Sequence, residues 1–207
     1  MSTRAEAKAI TRARLLDAAR ESVRDEGAAA LSLRSVAGRA GIVPSAVYRH
    51  FESRDDLLTQ LILDAYTGLA ESLEAAVGVG GDWKRAADAL RSWALAHRHE
   101  YLLIYGTPVP GYQAPEETVG AAARVAQVFL RRVTASDASL GDGLASQLDG
   151  VATAFDVPPS QLAQMLSNLA QLTGFLVLEL GGHFVGTADP ADLLWDHVVA
   201  GQTRGGA

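Results

Sequence analysis

The chain has 207 residues, of which 48% are hydrophobic and 20% charged, and its lack of cysteine excludes disulfides and thiolate metal sites. It contains no apolar run of about 18 residues and no apolar signal segment, so we expect no membrane span, no secretion and a cytoplasmic location. Residues 1–55 carry ten Lys and Arg against seven acids and residues 56–207 carry eight against seventeen, so the net charge of −6 is the sum of +3 and −9. This uneven distribution, although modest, indicates an N-terminal module that binds a polyanion.

Helical periodicity dominates the chain, and prolines and glycines cluster between the periodic segments. We therefore predict an all-α fold of about nine or ten helices. The first helix is predicted over Lys8–Glu26 and ends at Gly27, where a glycine commonly terminates a helix. Ser32 can cap a short second helix that ends at Gly41.

A third and a fourth helix follow closely. Pro44 opens the third, as proline does at a first helical position. The fourth opens at Ser53, which forms a start similar to a capping box with Asp56. Arg54 and the free backbone amides of this helix offer a site for an anion, because a helix N-terminus attracts negative charge.

The glycine-rich segment Val77–Asp82 separates these helices from a second half with longer ones. Residues 106–115 contain three prolines and two glycines and are predicted to form a loop. The other helices of the second half are predicted over Trp83–His99, Tyr101–Tyr105, Glu116–Val133, Leu144–Phe155, Gln161–Leu180 and Pro190–Ala200.

The three helices between Lys8 and Phe51 have the dimensions of a helix-turn-helix unit, whose last helix lies in the DNA major groove. Ala37 allows helices two and three to cross closely, and Gly41 permits the turn between them. With Val47 and Phe51 turned inward, the outer side of helix three carries residues suited to a groove. The predicted DNA-binding residues are Ser32, Arg34, Pro44, Ser45, Ala46, Tyr48, Arg49, His50 and Arg54.

The outward residues suit different parts of DNA. Arg49 can donate two hydrogen bonds to a guanine edge, and Ala46 can contact a thymine methyl group. Ser45, Tyr48 and His50 can reach phosphate oxygens. For His50 the alternative is a half-buried position against the fourth helix.

Two segments together resemble the DNA-binding domain of TetR-family transcriptional regulators: Ser32–Phe51 (SLRSVAGRAGIVPSAVYRHF) and Ser53–Leu58 (SRDDLL). The similarity covers roughly residues 10–70. Family members usually have Ser or Thr before the proline, as an N-cap and phosphate contact, whereas this chain has Val43. A missing cap costs about 1 kcal/mol.

The resemblance implies a homodimer that binds a near-palindromic operator on double-stranded DNA, usually as a repressor, and releases it when a small molecule binds. It implies a DNA-binding domain over 8–56, with the helix-turn-helix at 32–51, and a ligand-binding and dimerisation domain over 57–201. Neither a cofactor nor an enzymatic activity is expected.

The second half resembles a TetR C-terminal domain with a Trp-x-x-x-His-Gly signature, but Leu169 and Thr173 stand at the aligned Trp and His positions. Cavities between helices of a bundle are mainly apolar. Aromatic residues of this half could therefore line a site for a small apolar effector. The candidates are Trp93, Tyr101, Tyr105, Tyr112, Phe129 and Phe175.

The helix predicted over Gln161–Leu180 is apolar on nearly every side of its C-terminal half. A helix that is apolar all round must be buried all round, and a single chain of this size offers little to cover it. We therefore expect a four-helix interface with a second copy. The predicted interface residues are Leu172, Leu176, Leu180, Leu194 and Val198.

Other functions remain open from the sequence. A TetR-like protein could act as an activator or without a ligand, and a helical enzyme or lipid carrier could retain a vestigial DNA-binding head. No Ser-His-Asp arrangement or close carboxylate pair supports catalysis. His97 and His99 point to different sides of a helix, which does not suit a shared metal ion.

Overall fold

The structure, a computed structural model, describes residues 3–133 and 140–204. Within these ranges the chain forms ten α-helices, a short 3₁₀ helix at Ala28–Ala30 and no strand, which confirms the all-α prediction. None of the described helices is both long and apolar enough to cross a membrane. The α-helices are α1 (Arg4–Glu26), α2 (Leu33–Ala40), α3 (Pro44–Val47), α4 (Arg54–Val77), α5 (Trp83–Ala96), α6 (Arg98–Tyr105), α7 (Glu117–Leu130), α8 (Asp142–Ala154), α9 (Pro159–Leu180) and α10 (Asp192–Arg204).

The predicted caps set the ends of α2 and α4. The Ser32 hydroxyl accepts a hydrogen bond from the Ser35 amide at 3.1 Å, and Gly41 ends α2 in the left-handed region at φ 65°. The Ser53 hydroxyl accepts from the Asp56 amide at 3.0 Å. The Asp56 carboxylate accepts from the backbone amide of Glu52. These short-range bonds fix the two helix starts around the helix-turn-helix.

Helices α5 to α10 differ from the predicted ranges by one to four residues at one or both ends. Two further differences lie in α1 and α3. Helix α1 begins at Arg4 because Thr3 and Glu6 form a capping box, in which each side chain accepts the other residue's amide. Helix α3 ends at Val47, whereas Tyr48–His50 continue as a turn in which the amides of Arg49 and His50 donate to carbonyls three residues back. The third helix is therefore shorter than predicted.

The chain divides into two compact units. The N-terminal unit contains residues up to 66 and residues 99–120, and the C-terminal unit contains residues 67–98 and those from 121 onward. The division falls inside α4, after the first residue of α6 and inside α7. Its first break, after residue 66, lies later in the chain than the domain boundary predicted after residue 56.

The N-terminal unit has a core built mainly from α1 to α4. Leu15, Val36, Val47, Phe51 and Leu57 are among its buried side chains. Partly buried apolar residues of α6 and of the loop that follows it pack against this core, namely Leu103, Ile104, Val109 and Tyr112. The loop predicted over 106–115 is thus confirmed as a loop and belongs to this unit.

Helices α5, α9 and α10 pack against one another in the C-terminal unit. Leu172 and Leu176 are fully buried and Leu180 is 6% exposed within a single chain. The prediction that these three residues need a second copy to cover them is wrong, because neighbouring helices of the same chain already do so. Leu194 and Val198 are half-buried.

An ion-pair cluster ties these helices together. The Arg91 guanidinium binds both oxygens of Glu179, with a shortest distance of 2.6 Å, and also reaches Asp192 at 3.0 Å. The indole N–H of Trp195 donates to Asp88 at 2.9 Å. Residues of α5, α9 and α10 are thereby joined by charge-assisted bonds as well as by apolar packing.

Candidate nucleic-acid interface

The segment Pro44–His50, called the reading segment below, turns its polar side outward. Val47 and the following Phe51 are buried in the core, as predicted. Pro44, Ser45, Tyr48 and Arg49 are exposed, whereas Ala46 and His50 are half-buried. Tyr48 is 61% exposed, so its ring and hydroxyl are accessible to a partner.

Val43, directly before the reading segment, supplies no side-chain cap, and it is exposed. The expected loss of one N-cap bond is therefore confirmed. Helix α3 is held instead by its buried residue Val47 and by Phe51, which is buried four residues later. The Ser32 hydroxyl already accepts a hydrogen bond from an amide at the start of α2, and its own proton is still available to donate to a phosphate.

Four of the ten cations in residues 1–55 are neutralised by carboxylates. Arg20 pairs with Asp17 and Asp64. Arg24 pairs with Asp25, and Arg39 pairs with Asp25 and Glu26. Arg54 pairs with Asp55. These pairs neutralise Asp17, Asp25, Glu26, Asp55 and Asp64.

The other six cations have no carboxylate within 4.0 Å among the residues that the structure describes. They lie in the first half of α1, at the start of α2 and in the reading segment. Since phosphate affinity comes from Lys and Arg that are not neutralised, these positions are the ones of the unit suited to phosphate contacts. They are Arg4, Lys8, Arg12, Arg14, Arg34 and Arg49.

Helix α1 contributes cations that the sequence prediction missed. Lys8 and Arg12 lie close enough to the reading segment for their charges to act on the imidazole of His50. The Arg12 guanidinium lies over the Phe51 ring at 4.8 Å and donates to Gln60 at 2.8 Å. The sequence does contain a sign of this row of cations, because the four-residue spacing of Arg4, Lys8 and Arg12 places them on one side of a helix.

His50 combines a half-buried ring with a positive environment. Its Nδ1 atom is buried and has no hydrogen-bond partner in the described part of the chain. Burial lowers the pKa of His50, and the charges of Lys8, Arg12 and Arg49 lower it further. A neutral imidazole results at physiological pH, and a phosphate nearby would favour its protonation.

Arg54 is directed at the protein's own backbone. Its Nε atom donates to the Leu31 carbonyl at 3.0 Å, and Nη2 donates to the carbonyls of Ala28 and Ala29 at 3.2 and 3.3 Å. The guanidinium thus fastens the 3₁₀ helix to the start of α4. This geometry opposes the predicted phosphate contact, since most of its donors are already in use.

The six aromatic candidates for an effector site fall into separate clusters. Tyr101, Tyr105 and Tyr112 belong to the N-terminal unit, where the Tyr101 and Tyr105 rings are 5.1 Å apart and Tyr112 shares a hydrogen bond with Thr59. Burial raises the pKa of both Tyr101 and Tyr105.

The other three candidates, Trp93, Phe129 and Phe175, belong to the C-terminal unit and pack separately. Trp93 stacks on His97 and Phe129 packs edge-on against Trp83. Phe175 contacts both Phe184 and Trp195. The structure therefore brings only Tyr101 and Tyr105 together, and a common lining formed by all six residues stays a prediction.

Sequence models of two families match the chain. The one described as bacterial regulatory proteins, tetR family, matches residues 15–61. The one described as tetracyclin repressor-like, C-terminal domain, matches residues 83–201. Both agree with the resemblance seen in the sequence.

Individual proteins and solved structures are also similar to this chain. The HTH-type transcriptional regulator Rv1816 of Mycobacterium tuberculosis is 37% identical over 179 residues, which cover 83% of this chain and 73% of that protein. The crystal structure of a regulatory protein, SCO4313, has a TM-score of 0.85 at 37% identity and covers 97% of this chain and 98% of its own. A protein of unknown function from Rhodococcus sp. RHA1 has a TM-score of 0.69 at 28% identity, with 95% of each chain covered.

Proposed function

The chain belongs to the TetR family and is a DNA-binding transcriptional regulator, and from this premise we propose that it is a homodimeric repressor released from a near-palindromic operator by a small apolar effector. The observation that supports the DNA-binding geometry is the exposed reading segment together with Lys8, Arg12 and Arg49, whose charges act on His50 and which have no carboxylate partner among the described residues. Two copies of this surface would read two half-sites one helical turn apart, which requires about 34 to 36 Å between them.

Within this proposal Arg49 reads a base edge. Its side chain is exposed, carries no ion pair among the described residues, and follows the exposed Tyr48. Ser45 and Tyr48 contact phosphates, as does Arg34 at the start of α2. Lys8 adds a phosphate contact beside His50, and Arg54 acts by holding the start of α4 in place.

The homodimer would form through the outer face of α9. Leu166, Ala170, Gly174 and Leu178 are exposed and spaced four residues apart, so they form one row along the helix. Such a row can pair with its copy across a two-fold axis. Leu193 on α10, which is 84% exposed, adds to the apolar surface of the unit.

The effector step rests on the continuity of α4. This helix runs without a break from Arg54 to Val77 and contributes residues to both compact units. It is therefore a rigid element through which a ligand could bias the reading segment. A coupling of about 1 to 3 kcal/mol would weaken operator binding about 5- to 150-fold.

A binding selection from randomised duplexes of about 30 base pairs, long enough for two half-sites, tests the proposal. The full chain should enrich one two-fold symmetric sequence. Arg49→Ala should lose the preference at one symmetric pair of positions, while the control Arg24→Ala, which removes a cation paired with Asp25, should keep it. Absence of any symmetric motif would contradict the dimeric operator.

Repression is tested separately by placing the selected operator before a reporter gene. Expression of the chain should lower transcription, and an apolar effector should restore it. Increased transcription would instead support the activator alternative. No response to any compound would leave a regulator that acts without a ligand.

A further inference from the structure

A polar cavity of about 240 Å³ lies in the C-terminal unit, beside the end of α4 and the last turns of α7. Its lining includes Glu74, Gly78, Arg124, Arg131 and Arg132. The volume is several times the roughly 30 Å³ that one water molecule occupies in the liquid, so a sulfate-sized group fits.

One carboxylate of this lining is already paired. The Arg124 guanidinium donates to both oxygens of Glu74, at 2.7 and 2.6 Å. This two-point geometry is the one by which arginine recognises carboxylates and phosphates. The pair therefore shows that an arginine lining this cavity can bind a carboxylate through two hydrogen bonds.

The Arg132 guanidinium is fixed by neutral groups. It donates to the carbonyls of Gly81 at 3.0 Å, Val128 at 2.6 Å and Gly78 at 3.0 Å. Carbonyl oxygens orient a cation without neutralising its charge. Burial lowers the pKa of Arg132, and the positive charge of Arg131 lowers it further, so the charged form lacks full compensation.

Arg131 is exposed at the same wall. Over residues 3–133 and 140–204, no carboxylate lies within ion-pair distance of Arg131 or Arg132. Among the described residues that line the cavity, three arginines accompany one glutamate, which is a net charge of +2. This excess is notable because residues 56–207 as a whole carry eight cations against seventeen acids.

We propose that this cavity binds a compact oxyanion, a phosphate, sulfate or carboxylate group, with Arg131 as a free donor and Arg132 as a donor held in place by backbone carbonyls. Among the described residues, the lining of this cavity includes none of the predicted DNA-binding residues and none of the six aromatic candidates. Its ligand class follows from the charge excess and from the fork geometry of arginine.

The test is thermal unfolding of the full-length protein in sodium phosphate or sodium acetate, with sodium chloride at matched ionic strength as the reference. Specific binding produces a midpoint shift that saturates with anion concentration. General exclusion of phosphate from the protein surface produces a rise without saturation. Saturation by phosphate alone identifies a phosphoryl site, and saturation by acetate identifies a carboxylate site.

Three variants make the test specific. Arg131→Gln should raise the half-saturating concentration about tenfold or more, because a charge-assisted donor is lost. Glu74→Gln should lower it, because the competing carboxylate is removed. Arg98→Gln, which removes an exposed arginine absent from the cavity lining, should leave it unchanged.

Equal half-saturation in the wild type and in Arg131→Gln would overturn the proposal, as would a wild type that shows no saturable shift with either anion. Because Arg131 is exposed, its replacement should preserve folding. Normal DNA binding by Arg131→Gln would show that the proposed operator function is independent of this site.

Discussion

Replacing Arg54 with alanine should destabilise the N-terminal unit by about 1 to 3 kcal/mol. The side chain is 28% exposed and donates to three carbonyls, those of Ala28, Ala29 and Leu31. A hydrogen bond to a charged group contributes about 1.5 to 3 kcal/mol. The three bonds share one side chain, and water can replace those at the exposed carbonyls, so the sum stays near the value of one such bond.

Arg49→Ala should leave the stability nearly unchanged and weaken operator binding instead. Its side chain is exposed and has no ion pair in the described structure, so its loss should change stability by about 0.5 kcal/mol or less. If it contacts two acceptors of a guanine, operator binding should weaken by about 1 to 3 kcal/mol, with the loss confined to one base position in each half-site.

Urea unfolding of the full chain, followed by circular dichroism, measures the first effect. Fluorescence anisotropy with labelled operator, at a temperature where both variants are folded, measures the second. Arg24→Ala serves as the control in both assays. The structural role of Arg54 would be refuted if Arg54→Ala had wild-type stability, bound all DNA sequences more weakly and showed a shallower salt dependence. That result would support the phosphate contact predicted from the sequence.

Three further predictions concern His50, the dimer surface and α1. The pKa of His50 is lowered in the folded state, so the stability that its neutral form contributes is fully present above the ordinary pKa of 6.5 and is lost as the pH falls below it. His50→Gln should therefore reduce the loss of stability that urea unfolding measures between about pH 6.5 and 5. If the stabilities of the wild type and His50→Gln change in parallel with pH, His50 is not the cause. Leu178→Arg, at a position 44% exposed, should give a folded monomer by light scattering, whereas Leu176→Arg, at a fully buried position, should unfold; a folded dimer of Leu178→Arg would relocate the interface. Lys8→Ala should weaken binding to all DNA sequences and lower the slope of affinity against salt by about one unit, whereas Arg24→Ala should not; identical slopes would remove Lys8 from the phosphate contacts.

The features that could be predicted from the sequence are those decided within a few residues. Ser32, Gly41 and Ser53 act at helix ends through neighbours three or four positions away, so their roles are encoded locally. The inward direction of Val47 and Phe51 follows from the helical repeat. These short-range rules were sufficient to locate the helix-turn-helix.

The errors concern contacts between distant segments. Leu176 was expected to need a second chain because sequence periodicity reveals how apolar a helix face is but not which element covers it. Arg54 meets carbonyls 23 to 26 residues earlier in the chain. Lys8 approaches His50 across the fold. Residue type and spacing cannot determine such partners, since they depend on how the helices pack.

The net charge of −6 illustrates the same limit for function. Counted along the chain, residues 1–55 carry an excess of only three positive charges. Counted in the structure, Arg20, Arg24, Arg39 and Arg54 pair with carboxylates, and the other six cations of this segment have no such partner among the described residues. Because a DNA phosphate interacts with the local field more strongly than with charges beyond a Debye length of about 10 Å, the distribution of unpaired cations decides where an acidic protein can bind DNA.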